Sequence, residues 1–600
     1  MKALSWVLMS SLLATVWTTD PTFAQPATGN ANSAASPAAT PALQYAKQGW
    51  NADERQAFYT TSQGSHMIPY AWFKALRRLD ADEPFGGDQL LRYGYLANDK
   101  SRLNPEGLPV GFVIDGDAAS GFLGMTCAAC HTAEIAYQKD GAAQRLRIDG
   151  APATADFQLF LTDLAATTKA TLDDPKRFDT FARAVLGSRF STARVSELKT
   201  DFGAWVKQFG DFMSASLPAS PWGPGRLDAF GMIFNRVAAR DLSIKENFRI
   251  ADAPVSYPFL WNASRQDKTQ WNGGVPNGLF INALGRNSGE VFGVFADFAP
   301  RKVTSIPLTL IDYHRNSVKF AGLQQLEEKI VALKPPTWPF ELKQELVDKG
   351  RVLFAQNCNS CHEEKALPLD MWLTPVMAVG TDPRMYENSI KSSQAGLLAG
   401  ALSPNPPGSR LSNPADTADI LATTVVGALI NEAFPIPPRI PKLNEGVWRA
   451  IAKDFSKIRG DTENPLTLSM LLDPSVRADI KAHVEGRLAN MFKVPGAPNA
   501  YESRVLRGIW ATAPYLHNGS VPNLWELLTP ASQRKPSFMV GSKTYDPVNV
   551  GYANDSSPFK DGNLVVGPGA QPGNSNAGHE YGTTLSDDDR WALIEYLKQL

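Results

Sequence analysis

The chain has 600 residues, a net charge of −1 and 43% hydrophobic residues, with only four cysteines. Near-neutral charge without a basic block excludes an electrostatic reader of nucleic acid or of an anionic membrane surface. The length suffices for two or three domains with cores of their own.

Taken from the start, residues 1–24 read as a secretory signal peptide. "MK" is the basic start, "ALSWVLMSSLLATVW" the apolar stretch, and "TFA" before Gln25 a cleavage site. The apolar run is broken by serines and short for a span, and no later run reaches about 18 uninterrupted apolar residues. The expected product is periplasmic or secreted, without a membrane span. Residues 25–44, rich in Pro, Ala, Ser and Asn, read as a disordered linker, with folded sequence from Tyr45.

"LPVGFVIDG" and "RLRIDG" alternate like short strands. Between them stands "MTCAACHTAE", with Cys127, Cys130 and His131. "TADFQLFLTDLAATTKATL" and "DPKRFDTFARAVLG" then carry the spacing of amphipathic helices. The three prolines of "LKPPTWPFE" (333–341) signal a break, which gives two expected domains, 45–332 and 340–600. Beyond it, "FELKQELVDKGRVLFAQNCNSCH" places Leu342, Leu346, Val347, Leu353 and Phe354 on one helical face. Gly350, a poor helix former, is expected where a second helix crosses closely. This helix runs into Cys358, Cys361 and His362. "VRADIKAHVEGRL" reads as a helix in which His483 needs no special role. "LSDDDRWALIEYLKQL" closes the chain as a helix capped by Ser586, with Trp591, Ile594, Leu597 and Leu600 as its stripe.

All four cysteines thus fall into two copies of C-x-x-C-H, the attachment sequence of c-type haem. Two thiols add across the porphyrin vinyl groups, and the adjacent histidine supplies the proximal imidazole. A Cys₄ zinc site needs no histidine after each pair, and a thioredoxin-like pair needs no duplicate. The reading is two covalently bound haem c groups, with His131 and His362 on the irons. An opening helix that ends at such a motif and packs on a closing helix is the plan of small cytochromes c. The expected fold class is therefore mainly α: two cytochrome-c-like haem domains with large loop and helical insertions and few short strands.

A haem with two strong axial ligands transfers electrons, whereas an open sixth position binds O₂ or peroxide. Among the seven histidines, context singles out His517 in "ATAPYLHNGSVPNLWELL" and His579 in "GNSNAGHEYGTTLS". The small residues around His579 let backbone approach a porphyrin face. His66 in "GSHMIPY" stays open as a further candidate.

"APYLHNGSVPNLWELL" resembles the C-terminal signature of the bacterial di-haem cytochrome c peroxidase superfamily, and "GPGRLDAFGMIFN" and "YPFLW" are similar to it. "GMTCAACHT", "RIDGAPATADF" and "GNSNAGHEYGT" resemble most closely the branch that includes the rubber-cleaving di-haem dioxygenases. The resemblance implies an active N-terminal haem open to O₂ or peroxide and a six-coordinate C-terminal haem that passes electrons. The distal methionine of the peroxidases has no counterpart close after "PYLH", the first later one being Met539. The dioxygenase branch instead implies His579 as that ligand, with His517 hydrogen-bonding near a propionate. Trp261 matches the tryptophan between the haems of relatives, although a core tryptophan is nearly as good a reading. The distal pocket is implied within "WNASRQDKTQWNGGVPNGLFINALGRNSGE", which offers Gln270, Trp271, Asn272 and Phe280. Asp267 shows no motif match, and Glu290 is the next carboxylate. An apolar pocket there would favour O₂ over peroxide.

The expected function is an exported di-haem oxidoreductase using O₂ or H₂O₂. Its other partner is a hydrophobic alkene polymer in the oxygenase case, or a small electron-donor protein in the peroxidase case. Relatives also imply a calcium ion between domains. One alternative is a di-haem electron-transfer cytochrome without its own substrate, although about 100 residues per haem would suffice for that. Another is a protein whose haems modify a partner's side chains.

Overall fold

A computed structural model describes residues 41–305, 308–433, 445–459, 473–488 and 498–600. The predicted signal peptide and residues 25–40 of the predicted linker lie outside them. The last residues of that linker are not loose: Leu43–Tyr45 (β1) is a strand.

The first cysteine motif sits between two small sheets. Phe112–Asp115 (β2) pairs antiparallel with Phe122–Met125 (β3), which leads directly into the motif. Thr132–Lys139 (β4) leaves it and returns as Ala142–Asp149 (β5). Asp140 and Gly141 both have positive φ (53° and 75°), the two-residue turn that matches strand twist. β1 adds to β5 in parallel.

Three helices follow, each with a side-chain cap in the sequence. Asp156 caps Phe157–Asp173 (α1), Asp174 with Pro175 caps Pro175–Leu186 (α2), and Ser191 caps Thr192–Ser216 (α3). Phe280–Gly293 (α4) has no side-chain cap of its own. Asp454, on Glu445–Arg459 (α8), accepts from the N–H groups of Phe280 and Ile281 at 2.8 and 2.9 Å. Phe320–Ala332 (α5), Gln344–Asn357 (α6), Thr417–Ala433 (α7), Pro474–Leu488 (α9) and Asp587–Gln599 (α10) complete the larger helices used below. Ser586 caps α10 by accepting from Asp589 N–H at 3.2 Å.

The expectation of a mainly α chain is corrected. The fold is mixed, 42% helical and 16% strand, with many short sheets. Most of the strands are ladders of two or three residues between helices, such as Arg226–Leu227 against Val255–Ser256. Two residues carry no alternation for sequence to display. Two cytochrome-c-like haem domains are not shown either. One buried cluster joins residues from both sides of the proline-rich stretch, Phe58, Ile148 and Trp261 with Phe354, Trp510 and Leu593. Trp338 of that stretch packs edge-on to Trp510, ring centroids 5.3 Å apart. A second cluster gathers the aromatic faces of α1–α3 with β2 and β3, and a third is built on α4, α7, α8 and α9. No helix among the described residues is long and apolar enough to cross a membrane.

Candidate functional site

The two cysteine motifs fold alike. His131 N–H donates to the Cys127 carbonyl at 2.9 Å, and His362 N–H to that of Cys358 at 3.0 Å. Cys130 and Cys361 N–H groups each close the shorter turn at 3.2 Å. Both turns present an imidazole whose Nδ1 is held by backbone: His131 Nδ1 lies 2.8 Å from the Pro258 carbonyl, His362 Nδ1 2.6 Å from that of Arg504. A carbonyl can only accept, so Nδ1 carries the hydrogen and Nε2 keeps a free lone pair in both rings. That fixed tautomer is the usual state of a metal-ligating histidine.

Each motif opens into a large cavity. The N-terminal one, about 1050 Å³ including its mouth, is lined by Cys127, Cys130 and His131. The C-terminal one, about 1330 Å³, is lined by Cys358, Cys361, His362, His517 and His579. All four cysteines are free, and burial pushes the Cys127, Cys130 and Cys358 thiols up to about 12. A redox dithiol needs the opposite shift. No three His, Cys, Asp or Glu side chains converge to hold a metal ion among the described residues. That removes the Cys₄ zinc reading and leaves the calcium implied by resemblance without a side-chain cluster. It does not bear on haem iron, which takes four ligands from its own porphyrin.

Across the C-terminal cavity, the His579 ring faces His362 with centroids 6.3 Å apart. Two imidazole–metal bonds of about 2.0–2.1 Å each, typical of histidine ligation, need roughly that separation. The residue is half-buried, its buried Nδ1 has no hydrogen-bond partner, and desolvation, then the charge of His362, lowers its pKa to about 4. The loop holding it is costly to build. Gly578 has φ +77°, and a Cβ there would strike the Gly380 and Thr381 backbone, so the close approach requires glycine. His579 follows with φ +54°, an unfavourable region for a side chain. Arg534 ties the loop down by donating to the carbonyls of Asn576 and Gly578 at 2.5 and 2.9 Å. His517 stacks on Tyr501 instead, centroids 3.8 Å apart. Burial, then the Arg226 charge, lowers its pKa to about 3.

In the N-terminal cavity, Gln270 and Glu290 meet. Gln270 Nε2 donates to Glu290 Oε1 at 2.6 Å, and burial raises the Glu290 pKa. Gln63, Thr269, Arg286 and Asn287 add polar groups to a lining that is otherwise mostly apolar. Trp271 lines both cavities, its Nε1 donating to the Ser256 carbonyl at 2.8 Å. Phe280 lines neither. It opens α4, with its ring 4.8 Å from Lys453 Nζ and packed on the core around that helix. Trp261 also lines neither cavity. It is fully buried, stacked on Phe259 at 5.1 Å, and donates to the Arg507 carbonyl at 2.7 Å.

Six residues form a wall common to both cavities: Ser256, Tyr257, Pro258, Phe259, Trp271 and Arg504. "YPFLW" was a sequence signal for part of it. Nothing in "YESR" marks Arg504.

Residues 500–539, which include Arg504 and His517, match the family model described as RoxA-like, cytochrome c-like. The chain is 23% identical over 367 residues to "Uncharacterized protein y4iM" of Sinorhizobium fredii, covering 57% of this chain and 63% of that one. It is 31% identical over 602 residues to "Uncharacterized protein y4iJ" of the same organism, covering 92% of each. At that identity and coverage, the chain belongs to the family of the Sinorhizobium fredii protein y4iJ, with a RoxA-like, cytochrome c-like segment at residues 500–539.

Proposed function

We propose that this protein is an exported c-type haem oxidoreductase with one covalent haem at each C-x-x-C-H motif, and that it reduces peroxide at the N-terminal one. The observation that carries the reading is the matched pair of turns, each fixing an imidazole by its Nδ1 against a backbone carbonyl beside a cavity lined by the motif's own two cysteines. When bound, haem supplies an iron that accepts an oxygen ligand and exchanges electrons.

The chain's own residues divide the labour. Cys127, Cys130 and His131 would hold the N-terminal group, and Cys358, Cys361 and His362 the C-terminal one, with His579 on the far side of that cavity as a further residue that would hold it. Buried Glu290 favours its neutral form, and the bond from Gln270 to Oε1 leaves Oε2 to carry the proton. A carboxyl so held can deliver and recover a proton at the O–O bond. The balance is H₂O₂ plus two protons plus two electrons giving two waters, the electrons coming from a small donor protein. A second reading, O₂-dependent cleavage of a hydrophobic alkene polymer, is favoured by the RoxA-like segment.

The test begins with a pyridine haemochrome count and EPR of the ferric, full-length protein. Turnover is then measured with peroxide plus a reduced donor, and with O₂ plus polyisoprene. Two haems per chain and peroxide turnover are expected. Oxygen uptake with polyisoprene, and no peroxide turnover, would select the second reading. Two haems and neither activity would leave a carrier.

A further inference from the structure

The two motif histidines are tied together through one side chain. His131 donates to the Pro258 carbonyl, and the next carbonyl, that of Phe259, accepts from Arg504 Nη1 at 3.1 Å. The carbonyl of Arg504 itself accepts from His362. A single residue therefore braces the segment that orients one imidazole and directly orients the other.

Its guanidinium is fixed in the wall between the cavities. Arg504 Nε donates to Glu502 Oε2 at 3.1 Å, and Arg504 Cζ lies 5.2 Å from the Phe259 ring centroid and 5.3 Å from that of Trp271. Both Arg504 and Glu502 are buried. A buried ion pair adds little stability over apolar packing, so stability alone does not account for it. Where water is excluded, a fixed charge acts strongly on neighbouring charges, and this one borders both cavities.

We infer that Arg504, with Glu502, is a positioning residue shared by the two haem sites and sets both reduction potentials together. The inference rests on the two-haem reading above. A positive charge in the shared wall disfavours the more positive, oxidised state on either side, and so raises both potentials. The Glu502 carboxylate does the reverse. Loss of the guanidinium also frees the Phe259 carbonyl and loosens the hold on His131, which no effect local to His362 would do.

The test is a spectroelectrochemical titration of the haem-loaded full chain in mildly alkaline buffer, with haem counted in each sample. Arg504→Gln should lower both potentials and Glu502→Gln raise both, each by the order of a tenfold change in equilibrium constant, about 59 mV for one electron. Arg504→Lys, which keeps the charge but not the fork, should shift them less than Arg504→Gln. Shifts confined to the C-terminal centre, or no shift, with two haems still present, would overturn the inference and leave the two-haem reading intact. If Arg504→Gln fails to fold, Glu502→Gln alone decides by the same criterion. Fewer than two haems in the unmodified chain would instead overturn the reading beneath it, and the inference with it.

Discussion

Glu290 is suited to proton transfer because burial raises its carboxyl pKa, while the bond from Gln270 and the Arg286 charge offset only part of that shift. Glu290→Gln keeps the shape and removes the proton. It should cut peroxide turnover by about 10²–10⁴-fold, the usual worth of a general acid–base, with an unchanged absorption spectrum. A spectrum that changes as much as the rate would assign Glu290 to holding the cavity's shape. At the other centre, His579→Ala should turn a low-spin EPR signal high-spin, and His517→Ala should leave it low-spin. The reverse pattern would move the axial ligand to His517. Of these residues, the motif cysteines and their histidines stand out in the sequence because the proposed covalent attachment would demand a fixed local spacing. Gln270 and Glu290 were visible only as candidates, since their meeting depends on where α4 starts, and that is set by Asp454 far along the chain. Arg504 was invisible, because a wall between two cavities has no local signature.

Among the elements, helices were legible where caps and stripes coincide, as in α1, α2 and α10, while two-residue ladders were not. The crossing of α6 and α10 was also legible, from a glycine in a helical stripe. A Cβ at Gly350 would collide with the Ala592 carbonyl oxygen and lie 2.7 Å from Tyr596 Cβ. Gly350→Ala should therefore destabilise by about 1–3 kcal/mol through overpacking. Gly210→Ala on α3, where nothing lies within 4 Å, should stabilise by roughly 0.5–1 kcal/mol. Urea midpoints of the two variants moving the same way would refute the wedge argument. His66 proves to be a latch between elements. Its Nε2 meets Asp115 at the end of β2 at 2.7 Å, and its Nδ1 meets Asp297 beyond α4 at 2.6 Å. Burial would lower its pKa, but the bonds to both carboxylates outweigh it and raise the value to about 9. The stabilisation from this raised pKa is thus complete below about pH 6.5, the unfolded value, and lost as pH climbs through 9. The urea midpoint should fall over that window in the parent chain and stay flatter in His66→Gln. Parallel pH profiles would remove the latch.

Across the molecule, the apolar packing and the two proposed cofactor sites draw on different cores. The cluster on α4, α7, α8 and α9 contributes no lining residue to either large cavity, whereas the cluster holding Trp261, Trp510 and Leu593 wraps the C-terminal one. A cofactor that binds only the folded chain stabilises the core it touches, and its spectrum reports on that core alone. Leu429 and Leu593 are both fully buried, one in each cluster. Truncating either to alanine removes similar atoms and should cost roughly 2–5 kcal/mol in chemical denaturation. Leu593→Ala also empties space beside His362 and His579, so it should alter the EPR signal of the C-terminal centre and loosen its axial pair. Leu429→Ala should lower the denaturation midpoint and leave that signal as it was. If Leu429→Ala perturbs the signal as much as Leu593→Ala does, the two cores act as one, and packing far from the cavities sets the geometry of the site.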